Sequence, residues 1–124
     1  MPEQVLNRCE LEVMNVVWSL GQVTVQDVVD QLERDLAYTT VMTTLRILES
    51  KAVVRRCGKS GRAYLYQPVV SRDDIRQTMT SNLTGALFGG SVKSLMLSLL
   101  GSQSMSHSDI NELKAAIESL ESDQ

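Results

Sequence analysis

The 124-residue sequence predicts a mainly α fold with one small β-hairpin, organised in two parts. Three observations carry this. Apolar residues recur at three- and four-residue spacing through most of the chain. Four Asn, Thr or Ser residues stand three positions before an acid and mark helix starts: Asn7/Glu10, Thr24/Asp27, Ser71/Asp74 and Ser106/Asp109. One short stretch in the middle alternates in the manner of strands around a glycine-rich turn. Hydrophobic residues make up 43% of the chain, enough for a packed core, and aromatics only 4%, so that core is mainly aliphatic.

The first helix follows the Asn7 cap. Leu11, Met14, Val17 and Trp18 recur at helical spacing, and Gly21 suits its end. Trp18 reads as a core anchor. Gln22-Val23 can supply a one-bridge strand. The second helix follows Thr24, buries Val28, Val29 and Leu32, and is expected to end near Arg34-Asp35.

The third helix, from about Tyr38 to Lys51, has two unlike faces. At 100° per residue, Tyr38, Val41, Leu45 and Leu48 share one side. Thr39, Thr43 and Arg46 lie opposite, with Thr40 and Met42 flanking them. That face is small, rich in hydroxyls and free of acids. Short side chains permit close approach to a nucleic-acid groove, and a few donors suffice to read base edges. An ordinary amphipathic helix shows the same periodicity, so its neighbours must decide between the two readings.

Val53–Cys57 and Ala63–Gln67 read as two strands joined by a turn over residues 58–62, with Pro68 closing the second. The turn carries Lys59 and Arg62, and Arg55 and Arg56 lie on the first strand. Three helices followed by a basic hairpin is the order of a winged helix-turn-helix domain. Tyr64 and Tyr66 read as packing residues of the hairpin.

The net charge of −3 conceals an asymmetry. Between residues 37 and 67 stand Arg46, Lys51, Arg55, Arg56, Lys59 and Arg62 against the single acid Glu49, a local +5; the rest of the chain carries −8. An acidic protein with one basic block points to one surface committed to a polyanion.

After the short junction Val69-Val70-Ser71, Ile75, Met79, Leu83 and Leu87 form a stripe on a fourth helix that Gly89-Gly90 ends. Ser91 opens a short apolar segment containing Leu95 and Leu99, too short to span a bilayer. Residues 101–106 read as a loop. A last helix starts at Ser106 or Ser108, with Ile110, Leu113, Ile117 and Leu120 in an a/d seam. About 50 residues make a thin core alone. Two arrangements therefore stand: a symmetric dimer built from this half, through Leu83, Leu87, Leu95, Leu99, Ile110, Leu113, Ile117 and Leu120, or a monomer whose tail folds back. The dimer is preferred. The domain boundaries expected are 1–70 for the winged helix and 71–124 for the helical dimerisation part.

Several function classes find no support. There is one histidine, His107, read as a surface residue at a helix start, and two distant cysteines, Cys9 and Cys57, read as reduced thiols. No metal cluster, nucleophile elbow or phosphate loop is present in the sequence, so neither an enzyme nor a cofactor is expected. MPEQVLNRCE lacks the pattern of a leader, and a cytoplasmic protein without membrane insertion is expected.

LNRCELEVMNVVW, VTVQDVV, AYTTVMTTLRILESKAVVRR, AYLYQPVVS, LFGGSVKSLMLSLL and SDINELKAAIESL, in that order over most of the chain, resemble the penicillinase-repressor family of bacterial transcription regulators (BlaI/MecI/CopY). The resemblance implies an N-terminal winged helix, a C-terminal dimerisation domain and repression through operator palindromes. In the resistance branch it implies a membrane sensor metalloprotease, and cleavage of the repressor within the dimerisation domain by that or a downstream protease. The corresponding bond here falls near Ser98-Leu99, where the family carries an Asn-Phe pair. The copper-responsive branch carries a cysteine-rich C-terminal motif; no cysteine follows Cys57.

The expectation is a dimeric repressor of double-stranded DNA. Thr39, Thr43 and Arg46, with Thr40 and Met42 as second choices, would reach base edges, and Arg55, Arg56, Lys59 and Arg62 would contact phosphates. The alternative is a winged-helix interaction module whose basic face meets an acidic protein.

Overall fold

In the computed structural model residues 5–123 are described; the first four residues, where the stretch read as leaderless begins, lie outside them. Six helices and one antiparallel hairpin follow in the order α1 (Arg8–Leu20), α2 (Val25–Gln31), α3 (Tyr38–Ser50), β1 (Val54–Ser60), β2 (Ala63–Pro68), α4 (Arg72–Phe88), α5 (Val92–Ser102) and α6 (His107–Ser122). Two units separate, one reaching to Leu83 and one starting at Thr84.

The helix starts form where the side chains can satisfy the first free amides. Asn7 and Glu10 bond each other's backbone N–H, as do Thr24 with Asp27 and Ser71 with Asp74. Ser91 and Ser106 accept from Ser94 N and Asp109 N. Gly21, at φ 85°, ends α1 where a side chain would be strained.

In the first unit the core is aliphatic, as expected. Val13, Met14 and Val17 of α1 meet Val28 of α2, Val41, Leu45 and Leu48 of α3, and Val53, Val54 and Tyr66 of the hairpin. The bridge between Val23 and Tyr66 adds a short third edge to the hairpin and ties it beneath α2. Ile75, buried, and Met79 bring the first half of α4 onto the same core. Trp18 anchors that junction: Nε1 donates to Val70 O at 2.9 Å, and the Arg72 guanidinium lies 5.3 Å from its ring centroid.

Four expectations change. α2 has seven residues and stops well before Arg34-Asp35. Leu32 turns extended and packs against the core, which frees Arg34 to clamp Glu12 of α1 (2.6 and 3.0 Å). Tyr38 is exposed: at the first position of α3 it lies beyond the packed stripe. Thr44 is buried instead, its hydroxyl donating to Thr40 O and lying 3.5 Å from Cys9 Sγ. The hairpin turn shrinks to Gly61-Arg62, because β1 continues through Ser60. Positive φ at Gly61 alone of the two fits a type II′ turn, whose twist suits paired strands. Finally, α5 runs through Gly101 and Ser102 before Gln103 caps it.

The α3 terminus is a Schellman motif built on alanine. Val53 N donates to Leu48 O and Ala52 N to Glu49 O, with Ala52 at φ 62°. Beside it, Lys51 Nζ reaches both carboxylate oxygens of the buried Glu10 (2.8 and 3.0 Å) and joins the end of α3 to the start of α1.

In the second unit no residue of α5 or α6 is buried. No single helix among the described residues is long and apolar enough to cross a membrane.

Candidate nucleic-acid interface

Helix α3 turns Val41, Leu45 and Leu48 to the core and leaves Thr39, Thr40, Thr43 and Arg46 exposed along its other side. Met42 is half-buried at the edge. Ile47, 45% exposed, sits within the same outward face and was missed, because a wheel read for polar residues passes over an isoleucine. Ala37 makes no side-chain cap and the first turn of α3 holds no acid, so the positive end of its dipole meets no carboxylate there.

The hairpin adds its cations through an irregularity. Arg56 pairs with Tyr66 and Gly58 with Leu65, which leaves Cys57 as an extra residue in β1. Strict alternation would place Arg56 and Lys59, three apart, on opposite faces. The bulge shifts the parity, so Lys59 pairs with Tyr64 on the face that Arg56 shares with Tyr66. Both cations accordingly lie over one ring: Arg56 Cζ is 4.4 Å and Lys59 Nζ 4.8 Å from the Tyr64 centroid. The sequence carries a signal for this in Cys57-Gly58, since glycine in a strand marks bulges and Gly58 has φ 150°.

A cleft of about 210 Å³ opens between α3 and the hairpin. Tyr38, Met42 and Arg46 line it from the helix and Arg56, Arg62 and Tyr64 from the hairpin, above Val25 and Tyr66. The structure thus brings Met42, Arg46, Arg56 and Arg62 together. Thr39, Thr40 and Thr43 lie on the helix surface outside the cleft, and Arg55 points from the other hairpin face, where the Gln67 amide oxygen, turned toward it, accepts from Nε at 2.8 Å. Of the two tyrosines, Tyr66 is core and Tyr64 is surface.

The six cations are not equivalent. Arg46 and Arg62 have no ion pair among the described residues. Lys51 is committed to Glu10, and Arg56 Nε lies 3.1 Å from Glu49 Oε2. Partial burial works against the Arg56 charge, but Glu49, Tyr66 and Tyr64 outweigh it and hold the guanidinium above its ordinary pKa.

Leu83, at the end of the first unit, is exposed, and so in the helical unit are Leu87, Leu99, Leu113, Ile117 and Leu120, Leu87 to 70% and Leu120 to 66%, while Leu95 and Ile110 are half-buried. Ser98 and Leu99 sit within α5, both exposed. His107 is the exposed first residue of α6, and Cys9 and Cys57 are free and half-buried.

Comparison with known proteins places this arrangement. A solved structure of a mutant MarR from E. coli complexed with operator DNA superposes with a TM-score of 0.53 over 93% of this chain and 75% of that one, at 14% identity, a likeness of fold. Such neighbours are winged-helix regulators. The penicillinase repressor of Staphylococcus aureus is 26% identical over 111 residues, 88% of this chain and 87% of that protein. The transcriptional regulator BlaI of Mycobacterium tuberculosis is 42% identical over 73 residues, 56% of this chain and 52% of its own. The model of the penicillinase repressor family matches residues 6–119, nearly the whole length over which helices, wing and helical tail were described, and the chain therefore belongs to that family of transcriptional regulators.

Proposed function

We propose that this protein is a dimeric, sequence-specific DNA-binding repressor acting in the cytoplasm on a palindromic operator. The observation that carries the reading is the cleft where Arg46 of α3 meets Arg62 of the hairpin, both without an acidic partner among the described residues, beside a helix face of exposed threonines. A groove-reading helix flanked by phosphate-binding cations has this construction. Thr39, Thr40, Met42, Thr43 and Arg46 face base edges, and Arg55, Lys59 and Arg62 face phosphates. The reading domain is assigned to residues 1–70 and the dimerising one to 71–124, with Ile75 and Met79 in the first half of α4 still packing on the core of the former.

The exposed apolar residues of the helical unit support dimerisation. Exposed leucines along α4, α5 and α6 leave a large apolar area in water, which a second copy would cover. Two recognition helices about 34 Å apart then read successive turns of a palindrome. Release by proteolysis, by a membrane sensor metalloprotease or a downstream protease, would have to open α5 first, because a helical backbone at Ser98-Leu99 does not fit a protease in extended form.

Selection of duplexes from a random library tests the reading, with sedimentation of the free protein and of Ile117→Asp alongside. An enriched palindrome, a dimer, and a monomeric Ile117→Asp variant are expected. No duplex binding at low salt, with capture of an acidic protein instead, would transfer the basic face to the interaction-module alternative.

A further inference from the structure

We infer that Arg56 is a positioning residue rather than a phosphate contact: held between Glu49 and Tyr64, it fixes the hairpin against α3 so that Arg46 and Arg62 meet DNA in register. The inference rests on the DNA-binding reading above and refines it.

Three features converge on Arg56. Its Nε lies 3.1 Å from Glu49 Oε2, so the hairpin's first strand is tied to the last turn of the recognition helix. Its guanidinium carbon lies 4.4 Å from the Tyr64 centroid, so the group also rests on a ring of the opposite strand. The bulge at Cys57 then brings Lys59 to the same ring, 4.8 Å away, while Lys59 has no carboxylate partner among the described residues.

Charge accounting separates the cations. Glu49 is the only acid between residues 37 and 67. A phosphate that recruited Arg56 would have to displace this carboxylate and leave it unpaired beside a polyanion. Arg46 and Arg62 present no such obstacle. A neutralised cation releases no counterion on binding, so Arg56 should contribute nothing to the salt dependence, although it sits in the middle of the basic surface. An exposed ion pair is weak as a source of stability. Its consequence here is geometric and electrostatic: Glu49 removes one phosphate contact and fixes the hairpin to α3.

The test is the salt dependence of duplex binding by fluorescence anisotropy. It uses a duplex selected by the wild-type protein and a random-sequence duplex of equal length. The paired variant E49Q/R56Q keeps net charge constant. It is expected to weaken the selected duplex by the same factor at every salt concentration, with the slope of log K against log[salt] unchanged. E49Q alone frees Arg56 and should steepen the slope by about 0.9 on both duplexes. A paired variant whose slope becomes shallower by about 0.9 would show Arg56 to be a phosphate contact and overturn the inference. Circular dichroism monitors folding; if the paired variant melts below the assay temperature, E49Q alone decides, and an unchanged slope overturns it. Absence of salt-dependent duplex binding by the wild type is a separate outcome and removes the DNA-binding reading itself.

Discussion

Lys51→Met should destabilise the winged-helix unit without altering how strongly salt weakens DNA binding. Glu10 is 2% exposed, and its carboxylate accepts from Asn7 N at 2.8 Å and from Lys51 Nζ at 2.8 and 3.0 Å. Removing the ammonium leaves a buried carboxylate with one backbone donor. Stranding a buried acceptor costs about 1–3 kcal/mol. The Lys51 side chain is 40% exposed, so water can reach part of the vacated space and the lower half of that range is expected. For a unit of this size, about 1 kcal/mol moves the melting temperature by about 4–8 °C. The assay is thermal denaturation of the wild type, Lys51→Met and Lys51→Met/Glu10→Gln. If the cost lies in the stranded charge, the double variant should recover part of the loss, because glutamine keeps the Asn7 contact without a charge. A double variant as unstable as the single one would refute that account. Since Lys51 already neutralises Glu10, the salt slope should be the same in all three.

Arg46→Ala should cost about 1–3 kcal/mol on the selected duplex and relax its specificity, whereas Lys59→Ala should weaken all duplexes alike and make the salt slope shallower by about one. Equal loss on selected and random duplexes for Arg46→Ala would move Arg46 to the phosphate-binding set. Glu12 titrates below its usual 4.5 because Arg34 donates to its carboxylate, against a smaller opposing effect of desolvation and with further help from the Arg34 and Arg8 charges. A depressed folded pKa stabilises above the unfolded value and loses that contribution as pH falls through the folded value. Arg34→Ala should therefore raise the acid-unfolding midpoint while the difference from the wild type vanishes at the acid end; an unchanged midpoint would count against the pair. Ala52→Gly should stabilise the first unit by about 0.5–1 kcal/mol, since alanine at φ 62° carries about 1–2 kcal/mol of strain that glycine lacks, partly offset by glycine's unfolded-state entropy. Chemical denaturation measures it, and a lower midpoint for the glycine variant would contradict the Schellman account.

What was legible in the sequence is what local chemistry determines. The capping pairs identified helix starts because Asn7, Thr24, Ser71 and Ser106 act on amides three residues away. Val41, Leu45 and Leu48 identified the buried face of α3 because burial follows the helical period. What escaped depends on partners distant in sequence. Nothing local to Lys51 reveals that Glu10 consumes its charge from 41 residues away, so the block that counts +5 presents fewer free cations than its composition implies. Nothing local to α2 reveals that Leu32 leaves the helix to pack and that Arg34 is drawn to Glu12.

The hairpin shows how such a distant partner can determine chemistry as well as shape. Periodicity assigns Arg56 and Lys59 to opposite faces, and on that assignment each would be an independent phosphate contact. One extra residue at Cys57 puts both over Tyr64, and the ion pair to Glu49 then distinguishes them. A counting argument treats all the cations of the wing alike. On the proposed reading, the register of the two strands leaves Lys59 and Arg62 to a polyanion and holds Arg56 back, and that division reaches α3 because Glu49 belongs to it.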